Sequence, residues 1–208
     1  LTLEATSFST LKLQEFFDNF DVFLTALGED MISSFFKSKD IFGFTMLHEI
    51  VSNQPISLLK SYCSKVNQEL SRSDVISLLF SLDNRRKIPM MLITDRPIDD
   101  NLNFVKYLWE FSESYLNDKK LRKKLLLVKD HFELTILQQS TFSKDVKAFE
   151  YVKEIYNENF DHLEVQEILL TSSQHETRFI ERLMFKGHKN VVPMVSIYLS
   201  DTFKDDKD

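Results

Sequence analysis

Five histidines, one cysteine and a dense run of lysines are the residues of this sequence best equipped for chemistry. Imidazole binds metals and exchanges protons near neutral pH, but the spacing assembles no such site. His131, His162, His175 and His188 stand at unequal steps with no cysteine close by, whereas zinc sites draw ligands from close pairs along the chain. Cys63 falls on an apolar helical stretch, where a free thiol serves as a small core residue. No nucleophile elbow, glycine-rich phosphate loop or paired-histidine zinc motif is present. The carboxylates are spread over the polar side of amphipathic segments, and no pair stands out for acid–base work. The expectation is therefore no catalytic residue, no metal, no cofactor and no enzyme activity.

Positive charge concentrates at Lys119, Lys120, Arg122, Lys123 and Lys124, with Leu121, Leu125 and Leu126 between them. This pattern reads first as the wet face of a short helix and second as a patch for an acidic protein or nucleic acid. Arg85, Arg86 and Lys87 make a second cluster. A net charge of −6 works against nucleic acid as the partner.

The elements that must position these residues are helices. Three Gly and four Pro in 208 residues are too few for a sandwich or barrel, and 19 Phe need burial between layers. A single cysteine excludes an internal disulfide and points to a reducing, intracellular compartment, cytoplasmic or nuclear. No apolar run is long enough to span a membrane. A start at Leu1 with no leader pattern is expected of a piece of a longer protein.

A repeat organises the chain. An apolar box recurs as FFKSKD (35–40), LLFSLD (78–83), LLLVKD (125–130) and, less completely, ILLTS (168–172). Five residues beyond each box stand Thr45, Ile88, Thr135 and Thr177, at steps of 43, 47 and 42 residues. Each begins a short apolar helix, with threonine as an N-cap or Pro89 at the first helical position. A longer amphipathic helix follows, striped by Phe104, Tyr107, Leu108, Phe111 and Tyr115, or by Val146, Phe149, Val152, Ile155 and Tyr156. The first unit's long helix is expected over 58–70. The N-terminal segment carries a similar stripe: Leu13, Phe16, Phe17, Phe20, Phe23, Leu24 and Leu27. A third short helix is expected over 75–82, 121–128 and 165–170. The tiling is a partial unit 1–40, units 41–83, 84–130 and 131–172, an incomplete unit 173–203, and a solvated tail 204–208, together one helical-repeat domain.

Asp40, Gly43, Thr45, Leu47 and His48 resemble the D-x-x-G-x-T-P-L-H motif of ankyrin repeats, with Met46 in place of proline. Asp83 and Pro89, then Asp130, Thr135 and Leu137, then Thr177, are similar to parts of it. The resemblance implies an all-α fold, an α-solenoid of about four lengthened repeats of 42–47 residues. It also implies that His48 bridges Thr45 and neighbouring backbone. Arg86, Glu133 and His175 replace the glycine whose place demands a left-handed backbone, so hairpin fingers are expected to be reduced or absent. HEAT- or armadillo-type repeats share the period and are the alternative fold.

For function, the resemblance implies a protein-interaction scaffold that binds a protein or peptide through inter-repeat loops or a concave face. The loop residues Phe42, Phe44, Arg85, Arg86, His131, Phe132 and His175 are the candidate contacts. The three phenylalanines are expected to fold back onto the helices rather than stand exposed. The alternatives are the helical-repeat part of an enzyme, toxin or effector, and a basic-patch nucleic-acid module.

Overall fold

Each helical triplet is preceded by a turn in which an aspartate side chain supplies partners for backbone N–H groups. In the computed structural model, which describes residues 15–16, 19–96, 100–170 and 193, helices α1 (Phe20–Leu27) and α2 (Glu29–Lys37) meet at Gly28, at φ +77°. Three helical triplets follow. The first is α3 (Met46–Asn53), α4 (Ile56–Glu69) and α5 (Arg72–Leu79). The second is α6 (Pro89–Leu92), prolonged by a 3-10 turn (Ile93–Asp95), then α7 (Asn101–Tyr115) and α8 (Lys119–Leu126). The third is α9 (Ile136–Ser140), α10 (Val146–Asn159) and α11 (His162–Leu170). The order short, long, short thus recurs as expected, and no described residue lies in a strand. Thr177, His175, the incomplete unit 173–203 apart from Pro193, and the tail lie outside the described residues.

The third helices start earlier than the apolar pattern suggested, because polar caps precede their first apolar residue. Ser71 Oγ accepts from Asp74 N–H (3.2 Å), Asp118 Oδ1 from Lys120 N–H (2.9 Å) and Asp161 Oδ1 from Glu164 N–H (2.8 Å). Such caps satisfy donors that the helix itself leaves open. Likewise α4 begins just after Pro55 rather than at Leu58.

Packing follows the same period. First helices lie on first helices (α3 on α6, α6 on α9) and long helices on long helices (α4 on α7, α7 on α10). One apolar core runs from Phe20 in α1 to Leu169 in α11, taking in the fully buried Leu47, Tyr62, Trp109, Phe149 and Tyr156. Phe20, Phe35 and Phe36 form an edge-to-face cluster that reaches Tyr62 of α4 at 5.7 Å between centroids, a geometry suited to the ring quadrupoles. Arg96 is buried between the first two triplets. It donates to the carbonyls of Val51 (2.6 Å) and Gln54 (3.0 Å) at the end of α3, and its guanidinium lies 3.7 Å over the Phe104 ring. An all-α chain with this recurring helix order is compatible with a helical repeat. Among the described residues no helix is long and apolar enough to cross a membrane.

Candidate functional site

Three turns join the triplets, and each is built on an aspartate. Asp40 Oδ1 accepts from the N–H groups of Phe42 and Phe44, both at 2.8 Å. Asp83 Oδ1 does the same for Arg85 and Lys87, again at 2.8 Å, and Asp130 Oδ1 for Phe132 (2.8 Å) and Leu134 (3.0 Å). A backbone bond closes each turn, from Asp40 to Phe44, Asp83 to Lys87 and Asp130 to Leu134, at 2.9–3.0 Å. The fourth residue is left-handed in all three: Gly43 at φ +77°, Arg86 at +59° and Glu133 at +63°.

Loss of the glycine leaves the turn in place, and no strand pairing among the described residues extends it into a hairpin finger. The aspartate fixes the third and fifth N–H groups, so the backbone between them has little choice, and the left-handed strain of roughly 1–2 kcal/mol is tolerated. Arg86→Gly is accordingly expected to leave the urea-unfolding free energy within about 1 kcal/mol of wild type. Relief of strain is offset by added unfolded-state freedom and by loss of an exposed ion pair.

Neighbouring turns are also bonded to each other. Asn84 N–H donates to the Phe42 carbonyl (3.0 Å) and its side-chain amide to the Ile41 carbonyl (3.0 Å). At the next junction His131 uses both its N–H (2.9 Å) and Nδ1 (3.1 Å) on the Arg85 carbonyl. Acceptance by a carbonyl places the proton on Nδ1. Arg86 and Glu133, equivalent residues of adjacent turns, form an ion pair at 2.9 Å. The three turns are thus one continuous, hydrogen-bonded row.

Most of the residues expected to contact a partner meet on this row. Phe42 is 56% exposed and Phe132 44%, so these two do not fold back; only Phe44 does, half-buried and stacked on His48. The reason is position. Phe42 and Phe132 occupy the third residue of their turns, while Phe44 precedes the helix cap. Arg85 and Arg86 are exposed, and His131 is exposed with its ring 3.7 Å from that of Phe132. Lys87, sequence neighbour of the two arginines, is instead buried and paired with Asp95. Sequence reasoning missed Ile41, 72% exposed beside Phe42. Applying the repeat register to the residue after each turn aspartate would have found it.

Behind the first and third turns the helix starts are set by capping boxes, and behind the second by Pro89 at the first helical position. Thr45 N–H donates to His48 Nδ1 (3.1 Å), and His48 Nε2 reaches the Lys87 carbonyl (3.1 Å). His48 therefore holds Thr45 and the backbone of the next turn, as expected. In the third triplet Gln138 takes that place, accepting from Thr135 N–H (3.0 Å) and donating to the Leu169 carbonyl (3.3 Å). Acceptance from Thr45 N–H requires an unprotonated Nδ1, whereas Nε2–H donates to the Lys87 carbonyl in either state; burial outweighs that carbonyl and lowers the pKa from 6.5. A depressed pKa means that the unfolded chain binds the proton first. The contribution is whole above about pH 6.5 and is lost as pH falls through the folded value. His48→Gln is expected to keep the capping box and to flatten the fall in urea midpoint between pH 7.5 and 5.

Elsewhere the reactive groups are spent on structure. Cys63 is buried and desolvation pushes its thiol far up, which suppresses the thiolate. His162 Nε2 meets Gln166 of its own helix at 3.0 Å. Of the basic run on α8, Arg122 binds Asn159 and the Leu116 carbonyl, while Lys123 pairs with Glu164 at 2.8 Å and lies 4.7 Å over Phe160. Lys124 lies 5.8 Å over Phe80. Lys119, Lys120 and Lys124 are the exposed charges of the run. Among the described residues no group of three His, Cys, Asp or Glu is placed to hold a metal ion. No protein-family model, curated protein or solved structure matches the chain.

Proposed function

We propose that this chain is an ankyrin-like α-solenoid segment of an intracellular protein and acts as a scaffold, binding a protein or peptide partner along its row of turns. One observation carries the reading. Three turns of equal construction are hydrogen-bonded end to end, with the exposed Phe42, Arg85 and Phe132 at the corresponding third place of each. Repeated units give each turn a fixed neighbour, so side chains from sequence-distant loops form one preorganised surface. Aromatic and arginine side chains are the usual anchors of such surfaces. The aspartate-started turn, the threonine cap and the bridging His48 support the ankyrin-like form over HEAT or armadillo repeats. The scaffold works without cofactor or chemistry of its own, and the inward engagement of α8 supports a protein partner over nucleic acid.

The test is quantitative capture from lysate by the full chain, comparing wild type with Phe42→Ser, Phe132→Ser and Arg85→Glu. Glu69→Lys, an exposed residue at the C-terminal end of α4 and outside the three turns, is the control. Proteins retained by wild type and the control but lost with all three turn variants are the expected result. A captured set that all four variants retain equally overturns the proposal. Capture of nucleic acid that depends on Lys119 and Lys120 would put the basic-patch reading in its place.

A further inference from the structure

Charge on the row is sorted by side. Asp83 and Asp130 turn inward and are buried, Glu133 is occupied by Arg86, and Asp40 holds the N–H groups of its own turn. Lys39 donates to the Leu82 carbonyl. Arg85 differs: it is exposed, and its guanidinium has no hydrogen-bond or ion-pair partner among the described residues. Its backbone is pinned on both sides, by Asp83 at the N–H and by His131 at the carbonyl. A fixed base makes an arginine fork cheaper to order on binding. In the turn before it stand Ile41 and Phe42, and in the turn after it Phe132, all exposed. The face therefore offers apolar, cationic, apolar in sequence along the row, although the chain as a whole is acidic.

Resting on the reading of the turns as the partner face, we propose that the occupant is an extended peptide segment of a partner protein with one Asp or Glu between two bulky apolar side chains. The carboxylate takes the Arg85 fork, and the apolar side chains cover Ile41 with Phe42 on one side and Phe132 on the other. A bidentate arginine–carboxylate pair supplies direction, and the apolar contacts at its flanks exclude water from it.

The experiment is selection of random dodecapeptides displayed on phage against the immobilised full chain, followed by fluorescence anisotropy with the enriched peptides. Enrichment of an acid flanked by apolar residues is expected. Arg85→Glu should weaken such a peptide about tenfold or more, the scale of a charged hydrogen bond, and so should Glu→Gln or Asp→Asn in the peptide. A lysine in place of the peptide acid should recover affinity for Arg85→Glu. Unchanged helicity of the variants by circular dichroism excludes unfolding as the cause. Enriched peptides without an acid, or with affinity indifferent to Arg85→Glu, overturn the inference. If those peptides still depend on Phe42 and Phe132, the turn face survives and only its charge preference falls. Peptides indifferent to all three residues, or no enrichment over bare support, overturn the occupant and leave the turns without evidence of binding.

Discussion

Asp130→Ala is expected to cost about 3–5 kcal/mol, because it strands three donors in or beside the core at about 1–3 kcal/mol each, less what water recovers at the turn. Asp130 is buried, and besides Phe132 N–H and Leu134 N–H its second oxygen accepts from Gln139 Nε2 at 2.6 Å. Against a typical domain stability of about 5–15 kcal/mol, that loss threatens the third triplet as a whole. Asp40→Ala removes the same two turn bonds at an exposed site where water replaces them, and should cost only about 1 kcal/mol. Asp130→Asn separates charge from hydrogen bonding. Gln139 Oε1 is buried without a partner. Rotating that amide gives the new side-chain N–H₂ an acceptor, so the cost should fall to about 1–2 kcal/mol. Urea unfolding followed by far-UV circular dichroism ranks the three. Equal costs for Asp40→Ala and Asp130→Ala would mean that the buried carboxylate does not organise its turn.

The same aspartates explain what could and could not be read from the sequence. The period was legible because apolar boxes and helix caps recur together, and helices α3, α6 and α9 begin directly after Thr45, Ile88 and Thr135. Third-helix starts were not, since an apolar stripe is blind to a polar first turn capped by Ser71 or Asp118. The left-handed turns at Arg86 and Glu133 were not legible from the missing glycine alone, because it is the aspartate carboxylate that over-determines the backbone there. Exposure was hardest. Phe42 and Phe44 are two residues apart and alike in type, yet one faces water and the other packs on His48. Only the bend of the turn between them decides that. Lys87 likewise leaves its basic neighbours because its side chain reaches back to Asp95.

Gly43→Ala carries the second large effect, and here glycine is required twice over. The φ of +77° disfavours a side chain by roughly 1–2 kcal/mol. In addition, a Cβ would lie 2.7 Å from Asn84 Oδ1 and 2.8 Å from Asn84 N. The amide can swing away, but the backbone nitrogen can move only if the second turn leaves the first. That breaks the bonds from Asn84 to the Phe42 and Ile41 carbonyls, each 3.0 Å. At about 1 kcal/mol per bond the total comes to about 3–4 kcal/mol. Arg86 and Glu133 accept a side chain at the same place, so the difference lies in the neighbour rather than in the turn. A double-mutant cycle with Asn84→Ala makes the distinction. If the backbone clash dominates, Gly43→Ala keeps most of its cost in the Asn84→Ala background, reduced only by the side-chain bond already lost. If the cost vanishes there, the amide alone was in the way and the two turns are less firmly joined than their backbone bond implies. In either case Phe42 shifts relative to Arg85, so Gly43→Ala should weaken any ligand that spans both turns more than one that needs Phe132 alone.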